Sequence, residues 1–142
     1  MKNFIQGMKV AYLGAKDPKT GCISGGTHSH KAAIETFGGS FETGISYVPC
    51  ENFSRIFSSL NEGKADFGVV PLINSTSGQV QNVFDLILKQ PKTMENLKII
   101  GSMMLHISHD LIGVGSLDDI SVVYSKEEAI KQCKKGLFYS AQ

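Results

Sequence analysis

Two short stretches of this chain gather residue types able to hold a small anion. Gly25-Gly26-Thr27-His28-Ser29 and Asn74-Ser75-Thr76-Ser77-Gly78 each combine hydroxyl groups with glycine-flanked backbone N–H groups. Each stands just ahead of a segment with helical periodicity, where unpaired N–H groups and the positive end of the helix dipole favour negative charge. Two readings of each stretch are open. Thr27, Ser29, Ser75 and Thr76 either cap their helices or contact a ligand that carries carboxylate or phosphate. Finding two such stretches in one chain favours the ligand.

Other chemistries fit less well. Gly21 to His28 has a glycine spacing near that of a phosphate-binding loop, but Thr27 stands where the lysine is required. No G-x-G-x-x-G follows the first apolar run, so nucleotide binding is disfavoured. The four histidines form two close pairs, His28/His30 and His106/His109, without a C-x-x-C or the spacing of a structural zinc site. No metal and no cofactor is expected. His28 and His30 read as helix-start residues facing a cleft or solvent, and His109 as a hydrogen-bonded core histidine. Cys22, Cys50 and Cys133 are odd in number and irregular in spacing, which disfavours a disulfide framework; each reads as a small buried hydrophobe. The one arginine, Arg55, falls beside the apolar stripe of a predicted helix, away from both hydroxyl-rich stretches.

The elements that must position these stretches follow from periodicity. Met8 to Leu13 reads as a buried strand, and a loop then runs to about Gly26. A helix opens at Thr27-His28-Ser29 and stops at Gly38-Gly39, followed by a strand over Ile45 to Pro49. Phe53, Ile56, Phe57 and Leu60 stand at i, i+3, i+4, i+7 of a second helix, with Asn52 as N-cap and Gly63 as stop. Ala65 to Leu72 is a third strand, and Val80, Val83, Phe84 and Ile87 repeat the helical spacing up to Pro91. This β-α-β-α-β-α order calls for a parallel sheet with helices on both faces. If the strand order begins 2-1-3, the two hydroxyl-rich loops lie side by side where the order reverses, the usual ligand position in such sheets.

After Pro91 three further strands are predicted, over Lys98 to Leu105, Leu111 to Val114 and Ile120 to Tyr124. A last helix runs from near Ser125 to near Gly136, its C-terminal end marked by Lys131, Lys134 and Lys135. The expected organisation is a first α/β lobe over residues 1–95 and a partial second lobe over residues 96–142.

Composition bounds the function class. Apolar residues make up 42% of the chain and charged ones 19%, which excludes a disordered tail. Fourteen basic against thirteen acidic residues leave a net charge of +1, too little field to hold nucleic acid or an anionic membrane. No apolar run approaches the roughly 18 residues of a membrane span. A cytoplasmic protein with a small-molecule partner is expected.

Longer motifs add a family. Val10-Ala11-Tyr12-Leu13-Gly14, then Gly26-Thr27-His28-Ser29-His30-Lys31-Ala32-Ala33, is similar to Y-L-G-P-x-G-T-[FY]-S-H-x-A-A, with about nine extra residues between Gly14 and Gly26 and His28 in place of the aromatic. Val48-Pro49-Cys50 with Phe53, and Gly63 through Pro71, resemble V-P-C-x-S-F and G-x-A-D-[YF]-G-V-V-P. Asn74-Ser75-Thr76-Ser77-Gly78 resembles N-S-T-x-G, with Ile73 where a glutamate is usual. Leu105 to His109 resembles L-P-I-x-H, and Ser125 with Ala129, Gln132 and Cys133 resembles S-H-P-Q-A-L-x-Q-C. Taken in order, these motifs resemble the catalytic domain of prephenate dehydratases.

The resemblance implies a bilobed fold of the periplasmic-binding-protein type (type II). It also implies conversion of prephenate to phenylpyruvate, with loss of water and carbon dioxide, on the route to phenylalanine. The implied substrate contacts are Thr27, Ser29, Asn74, Ser75, Thr76 and Gly78, with Thr76 or Ser75 the hydroxyl nearest the leaving group. The family's Thr-Arg-Phe segment and its amino-acid-binding ACT domain have no counterpart in these 142 residues. The expected alternative is therefore a truncated, non-catalytic module that binds small carboxylates, or a gene fragment. Strands left without closing partners predict a homodimer or higher oligomer.

Overall fold

The computed structural model describes residues 7–89 and 97–139. The expected helix stop at Pro91 lies outside them. Two compact units are present, one ending at Leu105 and the other beginning at His106.

The first unit is organised by β1 (Lys9–Leu13), whose Val10, Ala11 and Tyr12 are buried. It pairs in parallel with β4 (Ser46–Cys50) on one edge and β5 (Phe67–Val69) on the other, giving the order β4-β1-β5. A central strand covered on both faces reads as a continuous apolar run rather than an alternating one, as Val-Ala-Tyr-Leu does. Successive side chains of β1 enter separate cores. Val10 packs with Ala33 and Ile45, bordered by Phe37, Tyr47, Phe67 and Val69. Ala11 packs with Cys50, Ile56 and Ala65, bordered by Leu13, Phe53, Leu60 and Val70.

Each core is closed by a helix. On the Val10 side lies α1 (His28–Phe37), capped by Thr27, whose Oγ1 accepts from the His30 N–H. A four-residue α2 (Ser40–Thr43), not predicted from the sequence, follows it. On the Ala11 side lies α3 (Phe53–Asn61), whose N-cap Asn52 accepts from the Arg55 N–H at 2.8 Å. It stops where Gly63, at φ +66°, takes the left-handed conformation and donates to the Leu60 carbonyl. Helices thus cover both sheet faces.

Two short additions were not legible in advance. The stretch read as a loop up to Gly26 contains an antiparallel ladder of β2 (Ala15–Lys16) and β3 (Ile23–Ser24). Its tip is tied by Asp17, whose Oδ1 accepts from the Lys19 and Thr20 N–H groups, and these bonds hold the carboxyl below its usual range. A second ladder pairs β6 (Ile73–Asn74) with β7 (Gly78–Gln79). Only then does α4 (Gln81–Leu88) begin, with Val80 as N-cap and Val83 buried.

Beyond residue 96 the expectations need correction. The predicted strands over Lys98 to Leu105, Leu111 to Val114 and Ile120 to Tyr124 do not form among the described residues. The backbone there makes no ladder, and Met104, Ile112 and Tyr124 are exposed. Strand propensity needs a neighbouring strand and a core face to be realised, and neither is supplied. A 3₁₀ turn over Leu117–Asp119 is closed by a capping box between Ser116 and Asp119. The last helix, α5 (Glu127–Tyr139), continues through Gly136, so Lys131, Lys134 and Lys135 precede its final turn instead of marking its end.

Candidate functional site

The strand order reverses between β4 and β5, on either side of β1. β1 and β5 are adjacent and parallel, so the chain leaves both from the same edge of the sheet, at Leu13 and Val69. The first exit leads through the β2–β3 hairpin to Gly25-Gly26-Thr27, and the second through Pro71 to Asn74-Ser75-Thr76. Both hydroxyl-rich stretches therefore follow strands that end at this reversal point, where open parallel sheets leave room for ligands.

Thr27 is fully engaged through its side chain. Its Oγ1 donates to the Leu13 carbonyl at 2.5 Å and accepts from the His30 N–H at 3.1 Å. The capping role is thus occupied, and the hydroxyl proton is not available to a ligand. The backbone keeps its capacity: among the described residues the Thr27 and Ser29 N–H groups have no hydrogen-bond partner. Ser29 is half-buried, in the first turn of α1.

The second loop is built differently from its expected form. Ser75 and Thr76 were expected at a helix N-terminus, but they occupy the turn between β6 and β7, ahead of Val80, the N-cap of α4. Asn74 makes this turn: its Oδ1 accepts from the Thr76 N–H at 2.8 Å and the Ser77 N–H at 3.3 Å. Asn, Ser and Thr serve tight turns and helix caps equally well, which is why the sequence misled here. Gly78 takes φ +78° where the turn closes. The Asn74 amide nitrogen and the Ser75 and Thr76 hydroxyls have no hydrogen-bond partner among the described residues and stand free to donate.

Three aromatic rings lie beneath the first loop. His30 stacks on Tyr12 with centroids 4.6 Å apart and planes 17° from parallel, and it meets Tyr47 edge-on at 5.8 Å. The Tyr47 hydroxyl bridges the Gly38 and Ala33 carbonyls near the end of α1. Burial pushes both phenols up; for Tyr12 the nearby Cys50 adds to the effect. The sequence reading missed this cluster, although the aromatic spacing Tyr12, His30, Tyr47 on neighbouring elements was visible in principle.

The remaining candidates separate. His28 is exposed, as a helix-start residue should be. His109 is exposed and not in a core; its Nε2 lies 2.9 Å from the Gln132 Oε1. Cys50 is buried, and burial raises its thiol, whereas Cys22 is exposed and Cys133 half-buried. Among the described residues no three His, Cys, Asp or Glu side chains come together as a metal site, and no helix is long and apolar enough to cross a membrane. Arg55 is held 3.9 Å from Glu62 on the outside of α3. A groove of about 460 Å³ between α3 and α4, lined by Asn52, Phe53, Phe57, Asn82, Asp85 and Leu86, contains none of the candidate residues.

The sequence matches the family model described as Prephenate dehydratase over residues 10–140. It is 35% identical over 131 residues to the bifunctional chorismate mutase/prephenate dehydratase of Escherichia coli (strain K12), covering 91% of this chain and 30% of that protein. The protein of the same name from Aquifex aeolicus (strain VF5) is 34% identical over 131 residues, covering 92% and 31%. An X-ray structure of prephenate dehydratase from Streptococcus mutans aligns at a TM-score of 0.47 with 28% identity, over 60% of this chain and 37% of that one. The chain thus spans under a third of the length of these curated relatives. Since the match runs from the central strand into the last helix, the chain belongs to the prephenate dehydratase family.

Proposed function

We propose that this chain supplies prephenate contacts for a prephenate dehydratase reaction, forming phenylpyruvate, water and carbon dioxide on the route to phenylalanine. The observation that carries this reading is the exit of both hydroxyl-rich loops from one edge of adjacent strands, in a chain of this family. Prephenate bears two carboxylates. The Thr27 and Ser29 N–H groups at the start of α1 suit one of them, with the helix dipole in support of Arg-free recognition. Asn74, Ser75, Thr76 and Gly78 form the opposing contact, through the Asn74 amide, the two hydroxyls and the backbone of the turn.

In the reaction the ring C–O bond breaks as the ring carboxylate leaves as carbon dioxide. The electron pair of that C–C bond enters the ring and makes it aromatic. The departing hydroxyl takes a proton to become water, and in this reading Ser75 or Thr76 delivers it or hydrogen-bonds the leaving oxygen. No cofactor or metal is needed for these electron movements.

The wider reading is a type II periplasmic-binding-protein lobe over residues 1–95 and part of a second over residues 96–142, acting in the cytoplasm on a small molecule, without nucleic acid or membrane. The exposed apolar side chains Ile99, Ile100, Met104, Ile112 and Val114 support association into a dimer or higher oligomer. Light scattering at micromolar concentration checks this; a monomer contradicts it. The functional test is incubation of the chain with prephenate near neutral pH while phenylpyruvate is monitored. Turnover above the solvent rate is expected. Thermal stabilisation by prephenate without turnover would instead identify a carboxylate-binding module.

A further inference from the structure

His30 is tied to the first loop at three consecutive residues. Its Nδ1 accepts the Gly26 N–H at 3.2 Å, and its own N–H donates to Thr27 Oγ1 at 3.1 Å. At Gly25 the ring fills the space a side chain would need: a Cβ there would sit 2.6 Å from Nδ1 and 2.7 Å from Cε1. Glycine is required at position 25 by this close approach. The ring is in turn fixed by stacking on Tyr12 of β1 and by the edge contact with Tyr47 of β4. A chain of contacts therefore runs from the buried strands through one imidazole to the turn ahead of α1.

The hydrogen bond also settles the tautomer. Nδ1 accepts the Gly26 N–H hydrogen bond and so cannot carry a proton of its own, which puts the proton of the neutral ring on Nε2. We propose that His30, as the neutral Nε2–H tautomer seated on Tyr12 and Tyr47, is a positioning residue that holds the Gly25–Thr27 turn so that the Thr27 and Ser29 N–H groups stay available to a carboxylate. The proposal rests on the carboxylate reading above, and it extends that reading to a side chain that touches no ligand.

Protonation of Nδ1 would set two N–H donors against each other and release the turn. The groups packed on the ring do not compensate: Tyr12 and Tyr47 are phenols, neutral at ordinary pH, and no carboxylate pairs with His30 among the described residues. On α1 itself the nearby charged group is Lys31, which faces Glu35 at 3.8 Å, with His28 exposed beside it.

The test uses the full chain and nitrogen-15 NMR. The expected spectrum shows the Nε2–H tautomer of His30; this needs no variant. His30→Phe keeps an aromatic ring on Tyr12 but lacks the acceptor, so Gly26 amide exchange should rise about tenfold while the α1 amides stay protected. His30→Asn, whose Oδ1 can stand in for Nδ1, should restore protection. Prephenate affinity should weaken about tenfold in His30→Phe and recover in His30→Asn. An Nδ1–H tautomer, or Gly26 exchange unchanged in His30→Phe, overturns the proposal. So does unchanged prephenate affinity in His30→Phe once the Gly26 bond is lost. If the unaltered chain binds no prephenate, the carboxylate reading fails, while the tautomer and exchange results still decide how His30 acts on the turn.

Discussion

Residues 9–13 and residues 111–114 are written in similar residue types, Lys-Val-Ala-Tyr-Leu and Leu-Ile-Gly-Val, yet they meet opposite fates. Val10 and Ala11 are 0% exposed and Tyr12 2%, whereas Ile112 is 91% exposed and Val114 100%. The first segment has a parallel partner on each edge and a helix over each face. The second has no ladder among the described residues. Apolar, β-branched composition expresses how well a segment fits a pleated, covered surface, and it builds no strand where that surface is missing. The same contrast explains why the candidate site lies at the edge of the β1–β5 pair, since only a rigid sheet can hold two loops in fixed places.

The contrast can be broken in order of expected size. Hydrogen exchange should differ most: amides of Val10 to Tyr12 should be protected by about a thousandfold or more, and those of residues 111–114 hardly at all. Comparable protection in the two segments would mean that the second has found strand partners. Next comes core truncation. Ile56→Ala empties a site 1% exposed and should cost about 2–5 kcal/mol, while Val114→Ala should stay within about 0.5 kcal/mol. Denaturant midpoints read both, and a large loss in Val114→Ala would reveal a second core.

Thr27→Ala removes the cap of α1 and the bond to the Leu13 carbonyl, for about 1–2 kcal/mol. Smallest is the alkaline limb. Burial raises the folded Tyr12 and Tyr47 phenols above their unfolded value of 10.0. The native state then holds protons the unfolded chain has released, so this contribution is full below pH 10.0 and declines as pH climbs through the folded values. Tyr47→Phe should flatten that decline and, through its lost bonds to Gly38 and Ala33, cost about 1 kcal/mol at neutral pH. A decline of unchanged steepness in this variant would remove Tyr47 as a cause.

Much of the sheet-centred part was legible. The i, i+3, i+4, i+7 stripe from Phe53 to Leu60 and the caps Thr27 and Asn52 follow from periodicity and turn chemistry, and the reversal of strand order, which the sequence offered only as a condition, is present as well. The two hairpins were not, because two-residue ladders such as Ala15–Lys16 with Ile23–Ser24 are too short to show alternation. Asn74 was readable as a polar turn-former, but whether it closed a hairpin or opened a helix depended on where Val80 packs. The strands predicted after Lys98 failed since pattern alone carries no information about a partner's presence. His30 was readable as a helix-start residue, but not its packing, because that lies in contacts with Tyr12 and Tyr47, 18 and 17 residues away in sequence.

The most direct measurement of the proposed anion site is a titration of the labelled chain with prephenate, followed at the backbone amides of both loops. The amides of Thr27 and Ser29 and those of Ser75, Thr76 and Gly78 should shift together along one binding curve with a single dissociation constant. Movement confined to one loop, or two unrelated affinities, would show that the loops do not grip the same molecule.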